Sequence, residues 1–118
     1  MFSYFYYKLI YFSTGDGVNA ITEAVIYPIS KLRGMRPNST TQIDIMFDPI
    51  ENDDSTSNKF DYVRLTITSN KHSDVIEAIF LLLQSEDKMI RIADLDNEIK
   101  ANQYITGVAI SYAVTAVA

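Results

Sequence analysis

Three consecutive residues, His72, Ser73 and Asp74, carry the side-chain types of a hydrolytic triad. A triad needs a histidine base beside a serine nucleophile and a carboxylate beside the histidine, so the three side chains must converge in space. Neighbouring residues in a turn that enters a helix point apart instead. The contiguous order therefore argues against hydrolysis, and we predict that this protein is not an enzyme.

Asp94, Asp96 and Glu98 stand at alternate positions, as do the first ligands of a calcium-binding loop. Such a loop needs glycine at its sixth position, where this chain has Ile99, and a bidentate glutamate at its end. The chain also has no cysteine and one histidine, too few ligands for a zinc site of the usual kind. The pattern favours an acidic turn, and we predict neither a metal nor a cofactor.

Lys31, Arg33 and Arg36 form the one concentration of basic residues, within a segment, 30–37, that is predicted to be irregular. They are either a solvated connection or a phosphate contact, and with Lys71 they are the candidate nucleic-acid-binding residues. Ten Lys and Arg against fifteen Asp and Glu give a net charge of −5, so the molecule as a whole repels phosphate. Any binding of nucleic acid must therefore be local.

The clearest structural pattern lies in residues 60–84, where a strand leads into a helix. Apolar and polar residues alternate in Phe60–Thr68, which is typical of a half-buried strand. Ser73 is a suitable N-cap for a helix over 73–84, with Asp74 favourably placed in its first turn. We expect the helix to pack on a sheet through one apolar stripe, with Ile79 and Phe80 buried. The stripe consists of Val75, Ile76, Ile79, Phe80, Leu82 and Leu83.

Five further strands are predicted from alternation and from β-branched or aromatic content. They are Met1–Phe12, Glu23–Ile29, Thr41–Phe47, Met89–Ala93 and Ile105–Val117. Asp16-Gly17 is a turn signal between the first two strands, and 48–59 is an acidic hairpin loop. In the strand 41–47 we expect Ile43, Ile45 and Phe47 to point inward and Asp44 outward.

Length and composition limit the organisation of the molecule. A chain of 118 residues without repeats predicts a single domain, 1–118. No apolar run approaches the roughly 20 residues of a membrane-spanning helix, so we expect no membrane partner. The aromatic first strand and the Val- and Ala-rich last strand are hard to bury within one chain. Such strands seek partners by strand addition, so we expect a homo-oligomer.

Six segments, in this order along the chain, resemble a family of small ocean-metagenome proteins attributed to cyanophages, which have an Sm-like fold. The segments are YFSTGDGVNA, AVIYPISKLRGMRP, STTQIDIMFDP, DYVRLTITSNKHSDVIEAI, IRIADLDNEI and TGVAISYAV. The resemblance implies a mainly β (α+β) fold: an Sm-like, bent, five-stranded antiparallel barrel with one helix packed on it. It also implies assembly through strand edges into a closed ring, with five subunits as one candidate number.

Two functions follow from the resemblance. The first is a structural or assembly protein of a phage, located in the cytoplasm of the infected host cell or in the virion. The alternative is an Sm-like binder of single-stranded RNA or DNA that presents Lys31, Arg33, Arg36 and Lys71 on a ring. The RNA-pocket pattern of Sm proteins is not present in this sequence, so the resemblance transfers no RNA-site residue.

Overall fold

Eight strands and one helix make up the computed structural model of the protein, which describes residues 8–15, 21–50 and 59–114. A single 3₁₀ turn, Ile29–Lys31, joins the second and third strands. The elements in chain order are β1 (Leu9–Ser13), β2 (Ala24–Pro28), β3 (Leu32–Ser39), β4 (Gln42–Phe47), β5 (Phe60–Ile67), α1 (His72–Leu83), β6 (Met89–Asp94), β7 (Ile99–Lys100) and β8 (Ile105–Val114).

The strands form two four-stranded sheets. The first sheet has the order β2-β1-β6-β7 and the second sheet the order β3-β4-β5-β8. All neighbouring pairs are antiparallel except β1 and β6, which run parallel. A parallel pair requires a long crossover, and the chain between β1 and β6 contains the whole of β2 to β5 and the helix. With eight strands and one helix in the described residues, the fold is mainly β.

The closed, five-stranded antiparallel barrel that the resemblance implied is not what the described chain forms. Its sheets are separate and not closed on each other, and the first sheet contains a parallel pair. The physical reason lies in β6, which returns after α1 to lie beside β1 instead of continuing the β3-β4-β5 meander. Each sheet consequently retains two edges within the described residues.

The buried hydrophobic residues form one continuous cluster, to which both sheets contribute. Alternation holds on the core strands, so the predicted inward residues Ile43, Ile45 and Phe47 are each at most 1% exposed. The Phe47 ring stacks on Tyr27 of the first sheet at 4.0 Å, and meets Phe12 edge-on at 6.0 Å. Aromatic contacts therefore join the two sheets through β4.

The helix is confirmed, but its first turn and its buried face differ from the prediction. It starts at His72, and the N-cap residue is Lys71, which makes no capping hydrogen bond through its side chain, so the prediction of Ser73 as N-cap is wrong. Val75 and Ile79 are fully buried, whereas Phe80 is 53% exposed. The expectation that Phe80 is buried is therefore wrong, because the core-facing side of the helix is centred on Val75 and Ile79, with Ile76, Leu82 and Leu83 partly buried beside them.

The C-terminal end of α1 is held by Lys8, the residue before β1. Its Nζ donates hydrogen bonds to the backbone oxygens of Leu83, at 2.6 Å, and of Ser85. Lys8 is only 2% exposed. A buried ammonium group is favourable here because the last carbonyl groups of a helix have no partner in the helix and carry partial negative charge. Lys8 thus ties the helix to the first sheet.

One prediction about the second sheet is wrong, and another is confirmed with a burial that was not predicted. Segment 30–37, predicted to be irregular, is a 3₁₀ turn followed by the strand β3, which pairs with β4. Gly34 and Pro37 are unfavourable in a strand, so the sequence did not predict β3. The strand forms because it pairs with β4. Asp44 points to the outer face of the sheet as predicted, but it is 0% exposed because Arg64 covers it.

The remaining strand predictions are confirmed in type and shifted by a few residues at their ends. Some predictions lie outside the described residues: 1–7 of the first strand, the Asp16-Gly17 turn, most of the 48–59 loop, and the end of the last strand. The short strand β7, in the segment that follows the acidic turn, was not predicted.

Candidate functional site

Asp61 is a buried carboxylate at the start of β5. It shares the inward face of that strand with Val63, Leu65 and Ile67, and is 1% exposed. Charged side chains are rarely buried to this extent unless their oxygen atoms have partners, because the loss of hydration costs several kcal/mol, to order of magnitude. The partners of Asp61 therefore define this part of the molecule.

Three donors from three different elements meet at the Asp61 carboxylate. The Tyr27 hydroxyl donates to Oδ2 at 2.7 Å, and the backbone N–H of Ile50 donates to the same oxygen at 3.0 Å. The backbone N–H of Ala113 donates to Oδ1 at 2.8 Å. A carboxylate has about four acceptor positions, so one position on Oδ1 stays open among the described residues.

A β-bulge on β8 directs the Ala113 N–H toward Asp61. Phe60 is paired with Val114 and Tyr62 with Ser111, so both Tyr112 and Ala113 lie opposite the single residue Asp61. Ala113 adopts φ 52°, in the left-handed region, which is unusual for a residue other than glycine. Bulges of this kind redirect side chains and backbone groups and are frequent beside functional sites.

An apolar cleft of about 420 Å³ opens above the carboxylate and is called the Asp61 cleft here. The residues that line it are Ile21, Ile50, Asp61, Tyr112 and Ala113. The Tyr112 hydroxyl donates to the Ile21 backbone oxygen at 2.9 Å, which holds this ring at the cleft wall. The cleft has the size and the apolar character of a small-molecule site, for which volumes of about 300 to 1,000 Å³ are typical.

The electrostatics of the cleft are those of one negative charge among neutral donors. Burial, followed by the hydrogen bond to Asp61, raises the pKa of Tyr27 far above its ordinary value. Burial and then the charge of Asp61 also raise the pKa of Tyr112. Both phenols therefore stay protonated at neutral pH. They can donate hydrogen bonds but cannot act as bases.

The sequence contained one signal for this site, which the prediction missed. Asp61 has the same parity as Val63, Leu65 and Ile67, so the alternation that defines the strand also places Asp61 on its buried face. An acidic residue on such a face needs dedicated partners. The sequence contained no comparable signal for Ile50 and Ala113, which take part through their backbone N–H groups.

The structure does not bring the four candidate nucleic-acid residues to one place. Lys31 ends the 3₁₀ turn and Arg33 is the second residue of β3, so these two lie at one end of the second sheet. Arg36 is in mid-strand, opposite Asp44. Lys71 lies beyond the other end of the sheet, where the neighbouring Asn70 N–H donates to the Thr40 backbone oxygen.

Three cations in this region have contacts with carboxylates or aromatic rings. Arg33 forms an ion pair of 2.9 Å with Asp48. Lys71 lies 5.2 Å from the centre of the Tyr104 ring. A further pair was not predicted: Arg64 binds Asp44 through two hydrogen bonds of 2.7 and 3.0 Å, and its guanidinium lies 5.1 Å from the Tyr62 ring centre. Carboxylates and rings therefore hold these cations in place.

His72, Ser73 and Asp74 lie in the first turn of α1, and His72 makes a structural contact. Its Nε2 lies 2.6 Å from the backbone oxygen of Ser39, to which it donates. This bond joins the helix to the β3–β4 turn. Among the described contacts, His72 forms no hydrogen bond with Ser73 or Asp74, as the convergent geometry of a triad would require.

Asp94, the first residue of the predicted acidic turn, closes that turn by hydrogen bonds. It accepts from Ser13 Oγ at 2.8 Å and from Asn97 Nδ2 at 2.9 Å. Burial alone would raise the pKa of Asp94, but these two bonds and the charge of Arg91 outweigh it and lower the pKa. Within the described ranges, no group of three His, Asp or Glu side chains could hold a metal ion.

Comparison of the chain with protein-family models, with curated proteins and with solved structures gives no match. Across residues 8–15, 21–50 and 59–114, no helix has both the length and the apolar character needed to cross a membrane. The functional argument therefore depends on the surfaces and the cleft of this molecule.

Proposed function

We propose that this protein is a non-enzymatic assembly protein that associates with copies of itself into a closed ring. The observation that carries the proposal is an apolar patch on the outer face of the first sheet. Leu9 is 40%, Ile26 42% and Met89 40% exposed, and Tyr11 is half-buried beside them. Leu9 pairs with Met89 and Tyr11 with Ile26, so the four side chains share one face. We call this surface the outer patch.

The outer patch continues into the Asp61 cleft. Ile50 and Tyr112 line the cleft and also line a shallow groove that contains Tyr11, Ile26 and Met89. Ile50 is 57% exposed, and it extends the apolar surface away from the sheet. Continuous exposed apolar surfaces of this kind mark sites of protein association more often than scattered apolar residues do.

Strand edges supply the directional part of the proposed association. Of the edge strands in the described chain, β7 has two residues and β2 and β3 contain proline, whereas β8 has ten residues and no proline. Proline and short length blunt an edge against pairing. We therefore assign β8 as the edge that accepts a strand from a neighbour. A contact between two different surfaces, an edge and a patch, closes into a ring when the rotation allows it.

Size-exclusion chromatography with light scattering tests this proposal. The wild-type chain is expected to run as an oligomer at micromolar concentration, and Ile26→Glu to dissociate it by placing a charge in the outer patch. Leu81→Glu is the matched control, because Leu81 is 60% exposed on α1 and is not part of the outer patch. A wild-type monomer, or an oligomer unaffected by Ile26→Glu, would refute the proposal.

The family resemblance of the sequence adds two parts to this proposal. They are a phage origin and a location in the infected host cell or in the virion. An Sm-like binding of nucleic acid is the second candidate function. The arrangement that favours it is the set of cations beside aromatic rings, since sequence-tolerant single-strand binding uses cations and stacking together. These pairs are Arg33 with Phe60, Arg64 with Tyr62 and Lys71 with Tyr104.

Fluorescence anisotropy with short single-stranded RNA and DNA, over a series of salt concentrations, tests the second candidate. Binding is expected to fall steeply as salt rises and to disappear when Lys31, Arg33 and Arg36 are together replaced by glutamine, while the oligomer persists. Lys88 and Lys100 replaced by glutamine form the control, because they lie outside this group. Wild-type protein that fails to bind at low salt would leave the assembly function alone.

A further inference from the structure

The Asp61 carboxylate has no ion-pair partner among the residues that the structure describes. All ten Lys and Arg residues of the chain lie within the described ranges. Those that form ion pairs within these ranges use other carboxylates, namely Asp48, Asp44 and Asp94. Three neutral donors satisfy Asp61, and one acceptor position on Oδ1 remains. No cation in residues 8–15, 21–50 and 59–114 pairs with this buried carboxylate, so a cation from outside these residues can pair with it.

The surroundings of this charge determine what kind of cation fits. Ile21, Ile50 and Ala113 supply apolar walls, and the ring of Tyr112 forms another. Among the described residues of the lining Asp61 is the one carboxylate, so these residues offer a small hydrated metal ion few oxygen ligands in return for its lost water. An organic cation with an apolar part matches both the walls and the charge.

We propose that the Asp61 cleft binds a primary ammonium group carried on an apolar stem. The ammonium group donates to the open position on Asp61 Oδ1, and the stem lies against Ile21 and Ile50. A cleft of about 420 Å³ accommodates an amine of fragment size. Anions are excluded by the carboxylate, and neutral analogues fail to neutralise it. This inference goes beyond the assembly function and does not require the ring.

Tyr112 and the β8 bulge contribute to selectivity in this proposal. The Tyr112 hydroxyl donates its proton to the Ile21 backbone oxygen, so it does not occupy the open acceptor position of Asp61. The bulge places the Ala113 N–H against Oδ1, which fixes the direction of the remaining lone pair. A ligand that enters the cleft therefore meets an oriented acceptor rather than a diffuse negative field.

The test is a titration of the ¹⁵N-labelled full chain with hexylammonium chloride, followed by NMR. Saturable shifts are expected at the amides of Asp61 and Ala113. Hexanol has the same stem without the charge and should bind at least about tenfold more weakly, because its hydroxyl can donate to the carboxylate but brings no positive charge to pair with it. Hexanoate should produce no saturable shift. Equal binding of hexylammonium and hexanol, or no saturation with hexylammonium, would overturn the proposal.

Two variants locate the binding. Asp61→Asn is expected to abolish it, but this variant can also unfold the chain, because an amide accepts fewer hydrogen bonds than a carboxylate. Ile50→Arg keeps the carboxylate and supplies a competing cation at the cleft wall, so it should weaken hexylammonium binding about tenfold or more. Leu81→Arg is the matched control on the helix and should bind as the wild type does. Unchanged binding by Ile50→Arg would overturn the assignment.

The same titration on Ile26→Glu separates this proposal from the assembly function. That variant changes the outer patch and leaves the lining of the cleft intact. Binding by Ile26→Glu supports the cleft whether or not the wild type assembles, and a loss of assembly alone leaves the ligand assignment standing. If hexylammonium binds neither protein, the cleft proposal fails and the oligomeric state still decides the other one.

Discussion

Asp61 illustrates how far one residue can be interpreted from its position in a strand. Its parity with Val63, Leu65 and Ile67 places it on the buried face, and burial of a carboxylate demands donors. The donors come from Tyr27, Ile50 and Ala113, on three other parts of the chain. Parity alone therefore predicts that the residue is buried, while the identity of its partners depends on the fold.

Tyr27 should make the protein sensitive to alkali. The pKa of Tyr27 is raised in the folded state, so its stabilising contribution is complete below the ordinary tyrosine pKa of about 10 and decreases as pH rises above it. The free energy of unfolding in urea should therefore fall from about pH 10 upward. Tyr27→Phe should be less stable at pH 7, by about 1.5 to 3 kcal/mol, and should lose less stability on going to alkaline pH.

A substitution at a core residue other than a tyrosine controls for general destabilisation in that experiment. Ile43→Val should cost about 0.5 to 1.5 kcal/mol and retain the alkaline decline of the wild type, because it leaves the Tyr27 hydroxyl and Asp61 in place. If Tyr27→Phe and the wild type decline in parallel above pH 10, Tyr27 is not the group responsible.

Replacement of Ala113 by glycine should increase the stability of the protein. Its φ of 52° costs an L-residue about 1 to 2 kcal/mol relative to the right-handed regions, and glycine avoids that cost. Ala113→Gly is therefore expected to raise the free energy of unfolding by up to about 1 kcal/mol. Ala109→Gly, in the regular part of the same strand, should lower it by about 0.5 to 1 kcal/mol. A destabilised Ala113→Gly, measured in urea, would contradict the strain at the bulge.

At the scale of elements, the helix shows the limit of a stripe seen in sequence. Six apolar residues mark a broad stripe on α1, yet two of them, Val75 and Ile79, are buried while Phe80 is 53% exposed. The pattern of apolar residues shows which side of the helix faces the core. The width of the buried face depends instead on how deeply the neighbouring sheets enclose the helix. The sequence could predict the helix and not that depth.

Two alanine variants compare the buried and exposed sides of α1. Ile79→Ala should cost about 2 to 5 kcal/mol, because it leaves a cavity in the shared core. Phe80→Ala should cost less than about 1 kcal/mol, since half of that side chain is already in water. Urea unfolding measures both. Similar losses for the two variants would mean that Phe80 packs against something, and a partner copy would then be the first candidate.

The edge strands illustrate another element-scale outcome. Segment 30–37 has glycine, proline and three cations, which favour a loop, but it forms β3 because β4 offers a free edge with which it can pair. Arg33 and Arg36 accordingly project from a sheet and not from a flexible connection. Their candidate role in nucleic-acid binding stays a prediction, with geometry that is now defined.

For the whole molecule, the two sheets depend on one core. Phe47 of the second sheet stacks on Tyr27 and meets Phe12, both of the first sheet. Phe47→Ala should therefore destabilise both sheets together, by about 3 to 5 kcal/mol. Hydrogen exchange should report equal losses of protection at Ile10 in β1 and Leu65 in β5, because the opening is global. Leu81→Ala is the control and should change neither. A loss confined to Leu65 would show that the sheets unfold separately.

The sequence by itself determined the elements whose cause is local. Alternation identified β4, β5 and β6, and the apolar stripe identified α1, because the period of burial is written in neighbouring residues. The tertiary structure decided three features: the parallel pairing of β1 with β6, the formation of β3, and the set of partners around Asp61. Asp61 contacts Tyr27, which is 34 residues away in the sequence, and Ala113, which is 52 residues away. The residues that satisfy a buried carboxylate therefore depend on chain reversals that no local pattern encodes.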